Sequence, residues 1–200
     1  MKINPENLDF RESHHLLAGS IVPRPILLIS TIGEDGVFNV APFSFVTGVS
    51  LKPTLIGFEI STRRDGRKKD TINNIERTKE FVVNVVTEDM VEAMNLASAD
   101  YPSDVDEFKE SGLTPVKGDI VKVPRVAESP ISFECRLIKI LEFGLIPTLS
   151  SFVIGEVVLA HIRDGLYVRD DIVSPDLKAI GRLGSELYCR TCDVFKMERS

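Results

Sequence analysis

A dense group of basic residues offers the clearest chemistry in the sequence. Five of the chain's 24 lysines and arginines fall in the seven positions 63 to 69, although the formal net charge is −6. They are Arg63, Arg64, Arg67, Lys68 and Lys69. Directly after them, Asp70 and Thr71 are good helix caps, and the apolar spacing predicts a short helix from about Thr71 to Lys79.

A phosphate is the anion that this arrangement suits. Backbone amides at a helix start carry partial positive charge, and cations and a threonine hydroxyl stand beside them. We expect the Asp70 side chain to cap the helix or orient the loop, because a carboxylate would not contact an anion. A solvated basic loop is the alternative interpretation. The sequence lacks G-x-x-x-x-G-K-[ST] and a strand-to-helix G-x-G-x-x-G, so a nucleotide would bind without a P-loop or Rossmann unit.

No catalytic side chain and no metal site are predicted. His14, His15 and His161 fit structural or surface positions, and no triad is readable. Cys189 and Cys192 have C-x-x-C spacing, but zinc would need two further ligands that Cys135 and the scattered histidines supply poorly. We predict free thiols, with redox activity of the pair as the alternative.

The surrounding pattern is mainly β. Strands are predicted at Ile26–Ile32, Val37–Val46, Thr54–Ile60, Phe81–Val86, Ile131–Glu142 and Ser151–Arg163, with a hairpin at Asp164-Gly165. Pro42 predicts a strand end, an edge or a bulge, since proline cannot donate a ladder hydrogen bond. Glu88–Ala99 reads as a second helix, and Tyr101–Thr114 as an irregular excursion with one helical turn around Asp106–Ser111. The pattern favours an antiparallel barrel with helices outside it, its edges hidden by closure or dimerisation.

Composition limits the remaining possibilities. Two hundred residues without a linker predict one domain, residues 1–200, and no apolar stretch is long enough for a membrane helix. The start lacks the layout of a signal or import peptide, and three cysteines are too few for a disulfide framework, so a cytoplasmic protein is expected. The negative charge disfavours broad binding of nucleic acid.

Several motifs in order resemble the flavin reductase-like, FMN-binding split-barrel family. They are "PRPILLIST" from Pro23, "NVAPFSF" from Asn39, the pattern R-x-D-G-x-x-K-D-T-x-x-N-I from Arg63 to Ile75, "FVVN" from Phe81, and "GRLG" from Gly181 with Tyr188. The resemblance implies a Greek-key split β-barrel, a homodimer, and FMN near the subunit interface.

The resemblance also implies which residues hold FMN. It places Asn39, Ala41, Pro42, Phe43, Ser44 and Phe45 along the isoalloxazine, largely through backbone groups. Arg63, Lys69, Asp70 and Thr71 surround the phosphate, and Arg182 and Tyr188 approach the flavin or the partner subunit. Two positions depart from the family pattern: Glu59 stands where many relatives carry serine, and Ser185 where a second glycine is common.

An NAD(P)H-dependent flavin reductase is the function that follows, with NADH or NADPH passing hydride to FMN and electrons leaving to a second acceptor. A non-catalytic electron carrier or flavin-storage protein is the alternative, as is a regulator that binds a nucleotide through the same loop. The sequence decides neither the nicotinamide, nor the final acceptor, nor whether flavin stays bound.

Overall fold

A computed structural model describes residues 1–63 and 65–198. Its α-helices are α1 Phe10–Ser20, α2 Asp70–Thr78, α3 Val91–Leu96, α4 Glu107–Ser111 and α5 Ser174–Leu177, with 3-10 turns at Pro5–Asn7 and Glu88–Met90. Its strands are β1 Arg24–Pro25, β2 Leu27–Ile32, β3 Phe38–Phe43, β4 Val46–Leu51, β5 Thr54–Ser61, β6 Glu80–Val85, β7 Pro115–Val116, β8 Arg125–Val126, β9 Ile131–Phe143, β10 Ser150–Ile162, β11 Tyr167–Val168, β12 Asp171–Ile172, β13 Ile180–Arg182 and β14 Tyr188–Arg190.

The main sheet is antiparallel and curls into a barrel. Its strand order is β3-β2-β6-β9-β10-β5-β4. The two end strands, β3 and β4, are joined only by Ser44 and Phe45, so the two ends of the sheet must lie close together. The prediction of a mainly β, antiparallel split barrel with peripheral helices is confirmed.

Apolar residues pack on both sides of the barrel wall. The interior cluster includes Phe58, Phe81 and Ile75, and Ile75 brings the buried face of α2 into it. A second cluster lies outside, where Val40 of β3 packs with Phe108 of α4. Burying such a side chain contributes about 1.5–3 kcal/mol. β6 is buried on both faces, as predicted from its β-branched run.

Pro42 does not interrupt its strand. β3 continues through it to Phe43, with Pro42 directly opposite Leu28 of β2. The backbone N–H of Val40 donates to Glu107, so this N–H points away from β2. Because the backbone groups of every second residue in a strand point to the same side, the nitrogen of Pro42 also points away from β2. β3 ends the strand order, so the missing N–H of Pro42 removes a donor from the free edge and not from the ladder. Of the three possibilities predicted for Pro42, a strand end, an edge or a bulge, the edge is correct.

Two further predictions need correction. Asp164-Gly165 does form a turn, but β11 after it pairs with β12 and not with β10, so the predicted hairpin is wrong. The helix predicted over Glu88–Ala99 is shorter and begins as the 3-10 turn Glu88–Met90 before α3. The long strands predicted near Ile131 and Ser151 are confirmed as the β9–β10 pair.

A small second sheet ties the end of the chain to its beginning. β13 pairs with both β1 and β14, and Arg24 of β1 is buried beneath it. The Arg24 guanidinium donates to the carbonyls of Ala18 at the end of α1 and Leu183 after β13. This arginine therefore connects α1 to the β13–β14 hairpin by hydrogen bonds. Across the described residues, no helix is both long and apolar enough to cross a membrane.

Candidate functional site

A cleft of about 990 Å³ opens beside the free edge of β3. Its other walls are the start of α2, the end of α3 and the β13–β14 hairpin. Small-molecule sites commonly enclose about 300–1,000 Å³, so the cleft has room for a ligand of nucleotide size.

Nine of the twelve residues predicted for the site line this cleft. They are Asn39, Ala41, Pro42, Arg63, Lys69, Asp70, Thr71, Arg182 and Tyr188. The other three lie apart from it: Phe43 is buried against Phe58 in the barrel, Ser44 accepts a hydrogen bond from Arg24, and the Phe45 ring packs beside Arg24 and His14. The fold therefore brings residues that are far apart in sequence to one cavity.

The predicted basic group is largely neutralised by carboxylates. Arg67 pairs with Asp65 at 2.6 Å, and Lys68 pairs with Glu76 at 2.6 Å and Glu142 at 3.1 Å. Arg63 pairs with Asp70 at 2.7 Å and also with Asp100. Arg64, the fifth member, lies outside the described residues. For Lys69 the described part of the chain provides no ion-pair partner.

Lys69 is the lysine that lines the cleft. Its ammonium lies 5.7 Å from the centre of the Phe43 ring. Burial lowers the pKa of Lys69 below its ordinary value, and the charge of Glu59 acts in the opposite direction. Glu59 itself accepts a hydrogen bond from Ser61 at 2.6 Å and does not line the cleft. A bound anion would give the Lys69 charge the direct partner that these residues do not.

The start of α2 offers backbone donors. Its N-cap is Lys69, which makes no side-chain cap, so the prediction that Asp70 or Thr71 caps the helix is wrong. Asp70 instead accepts a hydrogen bond from Arg63, which agrees with the other predicted role, that of orienting the loop. The amides of Asp70 and Thr71 have no acceptor among residues 1–63 and 65–198. These donors and the Lys69 charge lie next to each other, an arrangement whose partial and full positive charges would favour an anion.

The Thr71 hydroxyl forms a buried hydrogen bond and does not point a donor into the cleft. Thr71 is buried, and its hydroxyl donates to Asn39 Oδ1 at 3.0 Å. The same oxygen accepts from Thr31, and the Asn39 amide donates to Glu107 Oε2 at 2.6 Å. This network joins the start of α2 to β3 and α4, so it fixes the two walls of the cleft relative to each other.

Glu107 is a cleft residue that sequence reasoning missed. It lies in α4, inside the stretch Tyr101–Thr114, for which the sequence predicts an irregular excursion with one helical turn and no site residue. The signals there were Asp106, which caps α4, and the apolar Phe108, which marks a buried face. Neither reveals that the neighbouring carboxylate would turn toward β3.

The C-terminal wall is formed by a paired arginine and tyrosine. Arg182 lies opposite Tyr188 across the β13–β14 hairpin, with its guanidinium 5.7 Å from the tyrosine ring centre. Ser185, in the turn between these strands, has φ of 54°, the left-handed region that glycine adopts most easily. The departure from glycine therefore leaves a turn that still forms, at a small conformational cost.

Comparison with known proteins places these features in a family. The flavin reductase like domain matches residues 18–174. The chain belongs to the flavin reductase-like family. An uncharacterized protein of Halalkalibacterium halodurans is 37% identical over 201 residues, covering 100% of this chain and 96% of its own.

Two solved structures of flavin reductase-like fold are similar over nearly the whole chain. Nitrilotriacetate monooxygenase component B from Bacillus cereus is 32% identical with a TM-score of 0.94, covering 98% of both chains. The 2-nitrobenzoate 2-nitroreductase NbaA of Pseudomonas fluorescens is 30% identical with a TM-score of 0.90, covering 100% of this chain and 96% of that one. The family and the split-barrel fold predicted from the motifs are confirmed.

The flavin reductase-like match ends before the C-terminal wall. Arg182 and Tyr188 lie beyond residue 174, whereas β3 and the start of α2 lie within the matched region. The assignment of Arg182 and Tyr188 to the site is therefore supported by their position in the cleft and not by the domain match.

Proposed function

We propose that the chain is a single-domain FMN-binding oxidoreductase that takes electrons from NADH or NADPH and passes them to a second acceptor. The observation that carries the proposal is the cleft itself, in which an edge strand, a half-buried lysine with no ion-pair partner among the described residues, and an open helix start meet in a flavin reductase-like protein. The alternative, a flavin carrier or store without turnover, would use the same cleft.

The residues present fit a flavin mononucleotide. A phosphate would be held at the corner formed by Lys69 and the amides of Asp70 and Thr71, because these two amides have no acceptor among the described residues. The planar ring would lie along the free edge of β3, where the outward carbonyl of Pro42 is an acceptor and no proline N–H is present. A backbone edge of this kind recognises a heterocycle by hydrogen bonds without any charged side chain.

Once bound, FMN would supply the hydride and electron chemistry, and the chain would supply position and access. Asn39, Thr71 and Glu107 would keep β3 and α2 at a fixed separation, because their hydrogen bonds connect the two walls. Arg182 and Tyr188 would limit solvent from the C-terminal side. This division of labour needs no general acid, base or nucleophile from the chain.

The similar proteins suggest two classes of final acceptor. One is named as a component of a monooxygenase and the other as a nitroreductase. By analogy, electrons from this chain would pass either to a partner protein component or to a small nitro compound.

A spectrum and one titration test the proposal. Purified protein should be yellow, or become so after adding FMN and removing the excess, and anaerobic NADH or NADPH should bleach the visible band because hydride reaches the ring. A protein that binds FMN but keeps its colour with both nicotinamides would support the carrier or storage alternative. A protein that does not take up FMN would contradict both.

The proposal includes a homodimer. Leu17 and Ile21 at the end of α1 are about half exposed, and Leu187 in the adjoining hairpin is 65% exposed. Arg24 holds these two segments together, so their apolar side chains share one region of the surface. Exposed apolar patches of this kind mark protein interfaces, and the hairpin also borders the cleft.

Sedimentation equilibrium at micromolar concentration should therefore give twice the chain mass of 22.2 kDa. Replacing Leu17 and Leu187 together by glutamate should shift the species toward monomer, because both charges would be buried at the interface. The matched control is Ile138→Glu, because Ile138 is an exposed apolar residue of β9. A wild-type monomer would refute the dimer and leave the flavin site untouched.

A further inference from the structure

The Glu107 carboxyl group has one occupied and one open oxygen. Oε2 accepts from the Asn39 side chain at 2.6 Å and from the Val40 backbone N–H at 2.7 Å. Oε1 has no hydrogen-bond partner in the part of the chain that the structure describes. The residue is only 7% exposed, yet it lines the cleft, so this open oxygen is the polar atom of Glu107 that a ligand can reach.

Glu107 also stands between two cavities. A second, smaller cavity of about 290 Å³ adjoins the cleft, and Asn39, Asp70 and Glu107 line both cavities. The smaller cavity is polar and reaches the β2–β3 turn at Glu34 and Asp35. A proton can therefore travel between solvent and Glu107 without crossing the main cleft.

The surroundings of Glu107 favour its neutral form. Burial raises the pKa of Glu107 to about 7; the Val40 N–H opposes this rise, and the charge of Asp70 adds to it. The charged groups that face Glu107 from the elements around it are Lys69 and Asp70 at the start of α2, Arg63 before it, and Asp106 on its own helix. Glu34, Asp35 and Arg77 share the smaller cavity.

We propose that Glu107 is a ligand-recognition residue, which binds the planar ring in the cleft as a neutral carboxylic acid and donates a hydrogen bond from Oε1 to an acceptor atom of that ring. The identity of the ring as a flavin rests on the proposed function. A protonated carboxyl suits the geometry because Oε2 keeps accepting from Asn39 and Val40 while Oε1 carries the donor. An ionised carboxylate would instead place Oε1, an acceptor without a proton, against the acceptor atom of the ring.

Binding then takes up a proton. In the free protein above neutral pH, part of the Glu107 population is ionised, and each such molecule accepts one proton from solvent through the smaller cavity when the ring binds. The bound state has the higher pKa, so affinity falls as the pH rises. If binding raises that pKa by one unit, affinity falls about tenfold across the titration.

Calorimetry of riboflavin and FMN binding tests the proposal. At about pH 8, in HEPES and Tris buffers of different ionisation enthalpy, wild-type protein should take up a fraction of a proton on binding riboflavin, which has no phosphate to titrate. For FMN, wild type should take up more protons than Glu107→Gln, because the phosphate contributes equally to both. The glutamine can accept from Asn39 and Val40 with its oxygen and donate to the cleft with its nitrogen, so its affinity should stay nearly constant with pH.

Glu110→Gln is the matched control, because it removes the same charge from an exposed position of the same helix. It should keep the wild-type proton uptake. If FMN binds wild type and Glu107→Gln with the same proton uptake and the same pH dependence, the role of Glu107 is overturned while the flavin site stands. If neither flavin binds the wild type, the proposed function and this inference fall together. Should Glu107→Gln fail to fold, the absence of proton uptake by the wild type with riboflavin would still refute the inference.

Discussion

Replacing Lys69 by alanine should weaken FMN binding about tenfold to one-hundred-fold. Hydrogen bonds to charged groups contribute about 1.5–3 kcal/mol, and Lys69 is the cleft lysine whose charge has no carboxylate partner in the described residues. Riboflavin should bind the variant and the wild type with similar affinity, since it lacks the phosphate. Fluorescence quenching titrations with both flavins would measure the two dissociation constants.

Lys68→Ala is the matched control for that experiment. Lys68 is the adjacent residue and carries the same charge, but Glu76 and Glu142 already neutralise it. Its loss should change FMN affinity by less than about threefold, as expected for a partly exposed charge that carboxylates already pair. Equal losses from the two lysines would mean that the whole basic loop attracts FMN by its net charge, and an unchanged affinity in Lys69→Ala would move the phosphate elsewhere.

Replacing Glu134 by glutamine should lower the free energy of unfolding by about 3 kcal/mol near neutral pH. The Glu134 side chain is fully buried in β9, and its carboxylate accepts the backbone N–H groups of Asp119, Ile120 and Val121 at 2.7–2.8 Å. His161 lies 2.6 Å from the same carboxylate. A glutamine would turn its own N–H₂ toward one of these donors, so at least one buried donor would lose its acceptor.

The pH dependence of this loss has a definite sign. Burial by itself raises the pKa of Glu134, but the backbone and His161 hydrogen bonds outweigh it and lower the pKa to about 2. A depressed carboxyl pKa contributes stability above the unfolded value and loses it as the pH falls toward the folded value. The gap between wild type and Glu134→Gln should therefore be full above about pH 5 and shrink between about pH 4.5 and pH 2 in urea unfolding experiments.

Glu128→Gln is the control, because Glu128 is exposed and accepts a single backbone N–H, that of Thr114. It should cost less than about 1 kcal/mol. An equal effect at both positions would show that Glu134 does not organise residues 119–121. The ligand atoms of Asp119, Glu134 and His161 lie within 4.8 Å of one another, a spacing that is also compatible with a metal site. The Glu134 oxygens are already occupied by backbone donors, which favours the structural role.

Local patterns in the sequence predicted the barrel well. β6 is recognisable from its β-branched run, and β2 and β3 from apolar residues on either side of the "GEDG" turn. These signals are reliable because they depend on residues that are neighbours in the chain. The prediction of a hairpin at Asp164-Gly165 is wrong because a turn signal indicates only that the chain reverses. Which strands then pair depends on which strand has a free edge.

The site was predictable in composition but not in its division of roles. The basic group is plain in the sequence, yet Lys68 is neutralised partly by Glu142, 74 positions away, while its neighbour Lys69 is left for a ligand. Asn39 meets Glu107 across 68 positions. Contacts at such separations arise from the barrel topology, and no local pattern in one sequence specifies them.

The position of β3 explains why its side chains could not be rearranged independently. Val40 belongs to the outer cluster and Phe43 to the barrel interior, while Asn39 reaches Thr71 and Ala41 lines the cleft. A slip of one residue would exchange the two faces, moving Val40 and Phe43 out of their clusters and breaking the hydrogen bond between Asn39 and Thr71. The link to β4 is only two residues long and opposes such a slip. The register of β3 therefore determines both the packing of the barrel and the shape of the cleft.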